Sequence, residues 1–186
     1  GDRESWTEIR ETESGKLVHT FRESDISSIK WLPVSNAISY KTSEKGEGSS
    51  LWKFDLESMD LEKILINVDK FGSHTWSPDE SFIIYSVREK PENGEEGLKR
   101  YEGMPDRWPW WRTRSFLYRL DVGSGVSERL TYGHIGTSLQ DIRPDGKKIL
   151  FSQSLPDFTE RPYSKQLLME MDLETWIVDT IWEKNF

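Results

Sequence analysis

The chain has 186 residues, enough for one domain with a sizeable core. Its 33 acidic and 25 basic residues leave a net charge of −8, which disfavours general binding to nucleic acid through phosphate neutralisation. With no cysteine there is no disulfide or thiolate chemistry, and a reducing or an oxidising compartment fits equally. No apolar run approaches the length of a membrane span, so no membrane partner is expected; the lack of a signal peptide at Gly1 decides nothing about compartment.

The first 25 residues read as the outer hairpin of a larger unit. Trp6 to Glu11 alternates apolar and polar, Thr12-Glu13-Ser14-Gly15 turns, and Lys16 to Phe21 alternates again. Residues 26–69 then hold a fuller pattern. Lys30-Trp31-Leu32-Pro33-Val34-Ser35-Asn36-Ala37-Ile38-Ser39-Tyr40 reads as strand, tight turn, strand, because proline presets φ at the first central turn position. Leu51-Trp52-Lys53-Phe54-Asp55-Leu56 alternates into an aspartate, and after a polar turn Leu61 to Ile66 forms another apolar run.

The same four-strand pattern recurs over residues 70–133 and 134–186. Thr75-Trp76-Ser77-Pro78-Asp79-Glu80-Ser81-Phe82-Ile83-Ile84-Tyr85-Ser86 is the clearest strand-turn-strand copy. Ile142-Arg143-Pro144-Asp145-Gly146-Lys147-Lys148-Ile149-Leu150-Phe151-Ser152 is the next, with Gly146 easing the exit from the turn. Leu117 to Val122 and Leu168 to Leu173 repeat the alternation into Asp121 and Asp172; Val126 to Leu130 and Trp176 to Trp182 are the runs that follow. Glu11 to Gly15 aligns with Asp121 to Gly125. Four up-and-down strands per unit of about 40 to 50 residues are the mark of a propeller blade. The fold class is therefore all-β, with β-propeller blades of four antiparallel strands and about three and a half blades in the chain, fewer than the usual four to eight. That count leaves the ring incomplete in one copy. It suggests a piece of a longer protein, or an arc whose open blade edges another copy covers as a homo-oligomer.

Blade spacing singles out one segment. Asp55 lies 22 residues after Pro33, and Asp172 lies 28 after Pro144, but Asp121 lies 43 after Pro78. The excess is an insertion over residues 89–114, and a long loop in a compact domain is either functional or disordered. It carries Glu95 and Glu96, then Arg107, Trp108, Trp110, Trp111, Arg112 and Arg114, which interleave base and aromatic. Such a surface can stack on peptide aromatics, sugars or bases. The plainer reading has the tryptophans fold back on the blade and the arginines pair with nearby carboxylates. Within binding, contact with peptide or with another domain is favoured over nucleic acid. The nine tryptophans as a set are expected mostly to fill the wedges between sheets. His19, His74 and His134 lie far apart, the last two just before a first strand, and their spacing offers no convergent metal site. Asp55, Asp121 and Asp172 are expected to cap turns with their own side chains. No cofactor is implied.

The Trp76-Ser77-Pro78-Asp79 and Arg143-to-Ser152 strings resemble the repeats of TolB-like six- to eight-bladed propellers. Phe116-Leu117-Tyr118-Arg119-Leu120-Asp121, Leu130-Thr131-Tyr132-Gly133 and Pro144-Asp145-Gly146-Lys147 resemble the N-terminal propeller of prolyl oligopeptidase-family serine peptidases, in particular dipeptidyl peptidase IV-like and acylaminoacyl-peptidase-like members. In that family the catalytic groups sit in a separate α/β-hydrolase domain. This chain has no Gly-x-Ser-x-Gly elbow, since Gly123-Ser124-Gly125 reads as a hairpin turn, so it is expected to be non-catalytic alone. The resemblance implies a segment that gates peptide access and packs on the hydrolase domain, with a periplasmic or extracytoplasmic lean. It also implies a second reading of Glu95 and Glu96, as a pair that holds a substrate amine; flanked by Gly94 and Gly97, they read more simply as solvated loop charge. The alternative to a peptidase segment is a stand-alone TolB-like module that binds a protein or peptide.

Overall fold

A computed structural model of the chain describes residues 7–21, 25–44, 46–90, 113–156 and 164–185. Every regular element among them is a β-strand. The hairpin β1 (Glu8–Arg10) and β2 (Leu17–Thr20) forms a two-stranded sheet. β3 (Ile26–Trp31), β4 (Ala37–Glu44), β5 (Gly48–Asp55) and β6 (Leu61–Val68) pair in sequence order as a four-stranded antiparallel sheet. β7 (Phe71–Trp76), β8 (Phe82–Glu89), β9 (Arg114–Asp121) and β10 (Ser127–Arg129) form the next, and β11 (Thr137–Ile142), β12 (Lys148–Pro156), β13 (Ser164–Asp172) and β14 (Val178–Asn185) the last. No sheet closes on itself. These are propeller blades and the outer half of another, as the repeats require.

The blades repeat as a hydrogen-bond pattern more faithfully than as a sequence. At the turn from first to second strand, Leu32 N–H donates to Ala37 O, Ser77 N–H to Phe82 O and Arg143 N–H to Lys148 O, at 2.9 to 3.0 Å. At the turn from third to fourth strand the same spacing recurs as Glu11 to Lys16, Asp55 to Asp60, Asp121 to Val126 and Asp172 to Ile177. A further row ties the two turns of each blade together: Leu56 N–H to Asn36 O, Val122 N–H to Ser81 O and Leu173 N–H to Lys147 O. The edges of each sheet that meet at this end are thereby fixed.

Side chains lock the third-to-fourth turn. Oδ1 of Asp55 accepts from the N–H groups of Glu57 and Ser58, each at 2.9 Å. Asp121 accepts from the N–H and hydroxyl of Ser124, and Asp172 from the N–H groups of Glu174 and Thr175 and the Thr175 hydroxyl. The hydroxyls of Ser14, Ser58, Ser124 and Thr175 in turn accept from the N–H two residues on. These are the Asx-turns expected of such aspartates. The next position takes positive φ in all four copies: Gly15 and Gly125 at 67° and 71°, but Met59 and Trp176 at 62° and 64°.

The chain divides after Asp69 into two compact units. In residues 1–69 the core is Phe21, Ile38, Tyr40 and Phe54, with Ile9, Ile26, Trp52 and Leu56 packed on it. Phe21 meets Tyr40 edge-on at 4.9 Å, and His19 lies 4.2 Å from the Phe54 ring. In residues 70–186 Phe82, Ile84, Leu117 and Leu130 of one sheet close on Ile142, Ile149, Phe151, Met171 and Leu173 of the other. The hydrophobic burial between facing sheets is the main cohesive contribution in each unit.

Several expectations are corrected. The last strand is Val178–Asn185, not Trp176 to Trp182, because Trp176 and Ile177 are used in the turn. β10 shrinks to Ser127–Arg129 and β6 runs on to Val68 past a bulge at Asn67, whose N–H and Oδ1 meet the Ser50 hydroxyl. His74 lies inside β7 and is buried, whereas His134 precedes β11 in an exposed loop. Of the described tryptophans Trp76 alone is fully buried. Trp52 is half-buried and donates Nε1–H to Thr42, while Trp31, Trp176 and Trp182 are exposed. Trp176 sits at a turn tip and Trp182 on an outermost strand.

Two predictions follow from the turns. Met59→Gly relieves a left-handed residue and raises stability by about 0.5–1 kcal/mol, whereas Gly125→Ala, which meets no atom within 4 Å, loses about 1 kcal/mol through backbone strain alone; urea denaturation of the two variants reads both signs. Hydrogen bonds from the turns, from Ser58 N–H first at Asp55, the Ser124 hydroxyl first at Asp121 and Thr175 N–H first at Asp172, hold all three carboxyls below the ordinary 3.8. A carboxyl with a depressed folded pKa stabilises above its unfolded value and loses that contribution as pH falls through the folded one. Melting temperature should therefore fall as pH drops below about 4, and the Asp55→Asn, Asp121→Asn, Asp172→Asn triple variant should show a flatter acid limb.

Candidate binding face at the loop end

Antiparallel order separates two ends in each blade of residues 70–186. One end carries the tight turns; the other carries the connections β8–β9, β10–β11 and β12–β13. The tight turns of these sheets all span the same interval, and the connections that differ in length lie at the second end. Arg107, Trp108, Trp110, Trp111, Arg112, Glu95 and Glu96 belong to the β8–β9 connection and lie outside the described residues. Arg114, the remaining residue of that set, opens β9, opposite Glu89 at the end of β8.

Both bases of the connection are anchored. Arg114 donates Nε–H to His134 O at 2.8 Å, tying β9 to the β10–β11 link. Glu89 receives a forked pair from Arg129, at 3.1 and 3.3 Å, and the Tyr118 hydroxyl at 3.1 Å. The Arg129 guanidinium lies 4.1 Å from the Phe116 ring centre and 4.9 Å from that of Tyr132, and its Nε–H reaches Thr131 O at 2.8 Å. Tyr118 stacks on Tyr85, whose hydroxyl lies 2.6 Å from that of Ser127. Burial first, then the bond to Glu89, pushes the Tyr118 phenol up. Arg129 thus joins planar stacking to bidentate pairing, a combination lysine cannot supply.

Beneath this the two blades are stitched by a pair of buried threonines. Thr131 Oγ1 accepts the Leu117 N–H at 2.8 Å and lies 2.8 Å from Thr137 Oγ1, and Thr137 donates to Ser115 O. They continue the β9 ladder where β10 has ended. Beside the stitch is a cleft of about 200 Å³, with Thr113, Arg114, His134 and Ser154 among its polar groups and Ile135 and Pro156 as apolar walls. Gly136 floors it: an added Cβ would stand 3.1 Å from Ser115 N. The Ser154 hydroxyl accepts from Gln166 at 2.8 Å, which leaves its own proton for a guest. Among the described residues the cleft's lining offers hydrogen-bond donors suited to holding a polar group.

Sequence reasoning reached Arg114 and missed Glu89, Tyr118, Arg129 and the threonine pair. Nothing in the chain marks Arg129 as the partner of Glu89, since their meeting depends on strand register. Thr131→Val keeps the shape, strands the buried Leu117 N–H and should cost about 1–3 kcal/mol by urea denaturation.

No protein-family model matches the sequence, and no curated protein sequence matches it. Solved structures do. The acylaminoacyl peptidase of Pyrococcus horikoshii matches with a TM-score of 0.72 and 16% identity over 95% of this chain and 27% of its own. TolB from Acinetobacter baumannii matches with a TM-score of 0.59 and 20% identity over 95% of this chain and 37% of its own. The β-propeller domain of the Trilobed protease from Pyrococcus furiosus, described as having an open velcro topology, matches with a TM-score of 0.62 and 15% identity over 96% and 48%. The chain spans about a quarter to a half of the length of these proteins. At such identities the likeness is one of architecture: the chain is built of the β-propeller blades found in TolB and in peptidase propellers.

Proposed function

We propose that the chain is a non-catalytic propeller segment of a prolyl oligopeptidase-like serine peptidase, which packs on an α/β-hydrolase domain and restricts the peptides that reach it. The observation that carries this reading is the match to acylaminoacyl peptidase, which extends over nearly all of this chain and 27% of the peptidase. The loop end suits a gating face. Its connections leave from anchored bases, and the 99–114 stretch holds five basic against two acidic residues in an acidic chain. In this role the tryptophans and arginines from Arg107 to Arg114 meet the hydrolase domain or the peptide, and Glu95 and Glu96 remain candidates for a substrate amine.

The test is activity-based labelling of the native protein. Antibody against this chain is used to isolate it from source cells, and the isolate is treated with a fluorophosphonate probe. Label on the polypeptide that carries this chain is the expected result, and removal of residues 91–112 should then speed cleavage of long peptides relative to dipeptide amides. An unlabelled polypeptide would overturn the reading.

The second reading, a stand-alone module that binds a protein or peptide, is favoured by the match to TolB. Under it the isolate is unlabelled, and a stable partner is lost in the Trp108→Ala, Trp110→Ala, Trp111→Ala variant.

A further inference from the structure

The loop-end cleft of residues 70–186 opens where the link between two sheets is long. Residues 130–136 join β10 to β11, whereas residues 69–70 suffice to join β6 to β7. Thr131 and Thr137 hold the two ends of the longer link 2.8 Å apart, so the residues between them loop out. Two glycines shape that loop. Gly133 takes a φ of 104°, and Gly136 lies so close to β9 that an added Cβ would stand 3.1 Å from Ser115 N and 3.5 Å from Arg114 Cα. The cleft thus lies between the start of β9, the loop and β12, in two sheets that close on one another through a shared core.

Its size and its donors narrow the guest. At about 200 Å³ it falls below the range of about 300–1,000 Å³ that suits drug-sized ligands, and takes one residue of a chain. Arg114 brings a full positive charge to the lining. Its Nε–H is bonded to His134 O at 2.8 Å, and Nη1 lies 3.4 Å from Thr113 O, so the plane of the guanidinium is set before a guest arrives. The other donors are hydroxyl and imidazole. His134 offers a ring N–H in either tautomer, and Ser154, which accepts from Gln166, keeps its proton to donate. Ile135 and Pro156 are apolar and suit a short aliphatic stem. A planar, acceptor-only anion on such a stem is the group that this lining fits. An ammonium would meet a like charge there, and a neutral amide would forgo the ion pair.

We propose that the cleft binds a carboxylate of a peptide. Arg114 is the fork, His134 and Ser154 are the flanking donors, and Ile135 and Pro156 pack on the residue that carries the carboxylate. A chain end and an acidic side chain share this chemistry, and the test separates them. The inference rests on reading the loop end as a peptide-facing surface, and it does not require a hydrolase domain.

The test is NMR titration of the isotope-labelled full chain with three short probes and inorganic phosphate. The probes are acetyl-Ala-Ala-Leu, its C-terminal amide, and acetyl-Ala-Glu-Ala amide. Expected are shifts of the Arg114 Nε–H and of the amides of residues 133–136 with a carboxylate probe, and binding at least about tenfold weaker for acetyl-Ala-Ala-Leu amide. Preference for acetyl-Ala-Ala-Leu assigns the site to a chain end; preference for the glutamyl peptide assigns it to an acidic side chain. Arg114→Gln should abolish binding, and Arg114→Lys should restore part of it. Because Arg114 also holds the loop, Ser154→Ala serves as the second variant and should weaken binding about threefold with the melting temperature unchanged. Val126→Asp, at the turn end, should bind as the parent does. Equal binding of acetyl-Ala-Ala-Leu and its amide, tighter binding of phosphate than of either carboxylate probe, shifts centred elsewhere, or full affinity in both Arg114→Gln and Ser154→Ala would each overturn the proposal. Carboxylate binding by a chain that escapes fluorophosphonate labelling overturns the peptidase reading alone; labelling without carboxylate binding overturns this one alone.

Discussion

A carboxylate that accepts the N–H groups of the turn behind it is the interaction on which the blades depend. Each third strand must stop and reverse within four residues, and the reversal leaves backbone donors that neither strand can satisfy. Asp55, Asp121 and Asp172 meet those donors, and a hydroxyl three residues later meets the next one. Once this turn is set, the bond from the following residue to the first-to-second turn registers the inner pair of strands against the outer pair. Asp79 works in the same manner in the neighbouring turn, accepting from the hydroxyls of Ser77 and Ser81. The apolar faces then have a fixed frame on which to meet.

That mechanism explains why the fold was legible from one sequence. Pro33, Pro78 and Pro144, and the recurrent aspartates, are local signals whose meaning does not depend on what lies far away in the chain. Alternation in Leu51 to Asp55 or Leu117 to Asp121 is equally local. Strand ends were less legible. Trp176 reads as the start of an apolar run, yet it occupies the left-handed corner that glycine fills in two sister turns. Its β propensity lost to the hydrogen-bond spacing of the turn. The burial of tryptophan was misjudged for a related reason. Aromatic character predicts that a residue packs somewhere, yet Trp31 is 65% exposed while Trp76, its counterpart in the next blade, is 5% exposed.

The candidate site was legible only at its margin. The long interval between Pro78 and Asp121 located the connection, and Arg114 proved to be one of its bases. Its other support, the Glu89–Arg129 fork among Phe116, Tyr118 and Tyr132, joins residues 40 apart through the register of three strands. The threonine pair was hidden differently. Thr131 and Thr137 look like ordinary β residues, and their importance arises because β10 ends at Arg129 and the Leu117 N–H is met by the Thr131 hydroxyl in place of a strand carbonyl. Site residues that answer a local need can be read; those that answer a shortfall elsewhere require the assembled sheet.

The contrast between the two ends of a blade also bears on how such a chain tolerates change. Three rows of backbone bonds cross the turn end, so a residue gained or lost there would break register in all four strands. At the opposite end the β4–β5 connection shows the minimal form: Ser43 and Ser49 lie hydroxyl to hydroxyl at 2.9 Å, and Gly46 has no atom within 4 Å of where a side chain would begin. Long connections in sister blades leave from the equivalent place. The β4–β5 corner is thus a natural grafting point, where a foreign recognition loop could be spliced between Glu44 and Gly48 and displayed on a scaffold whose folding information lies at the other pole.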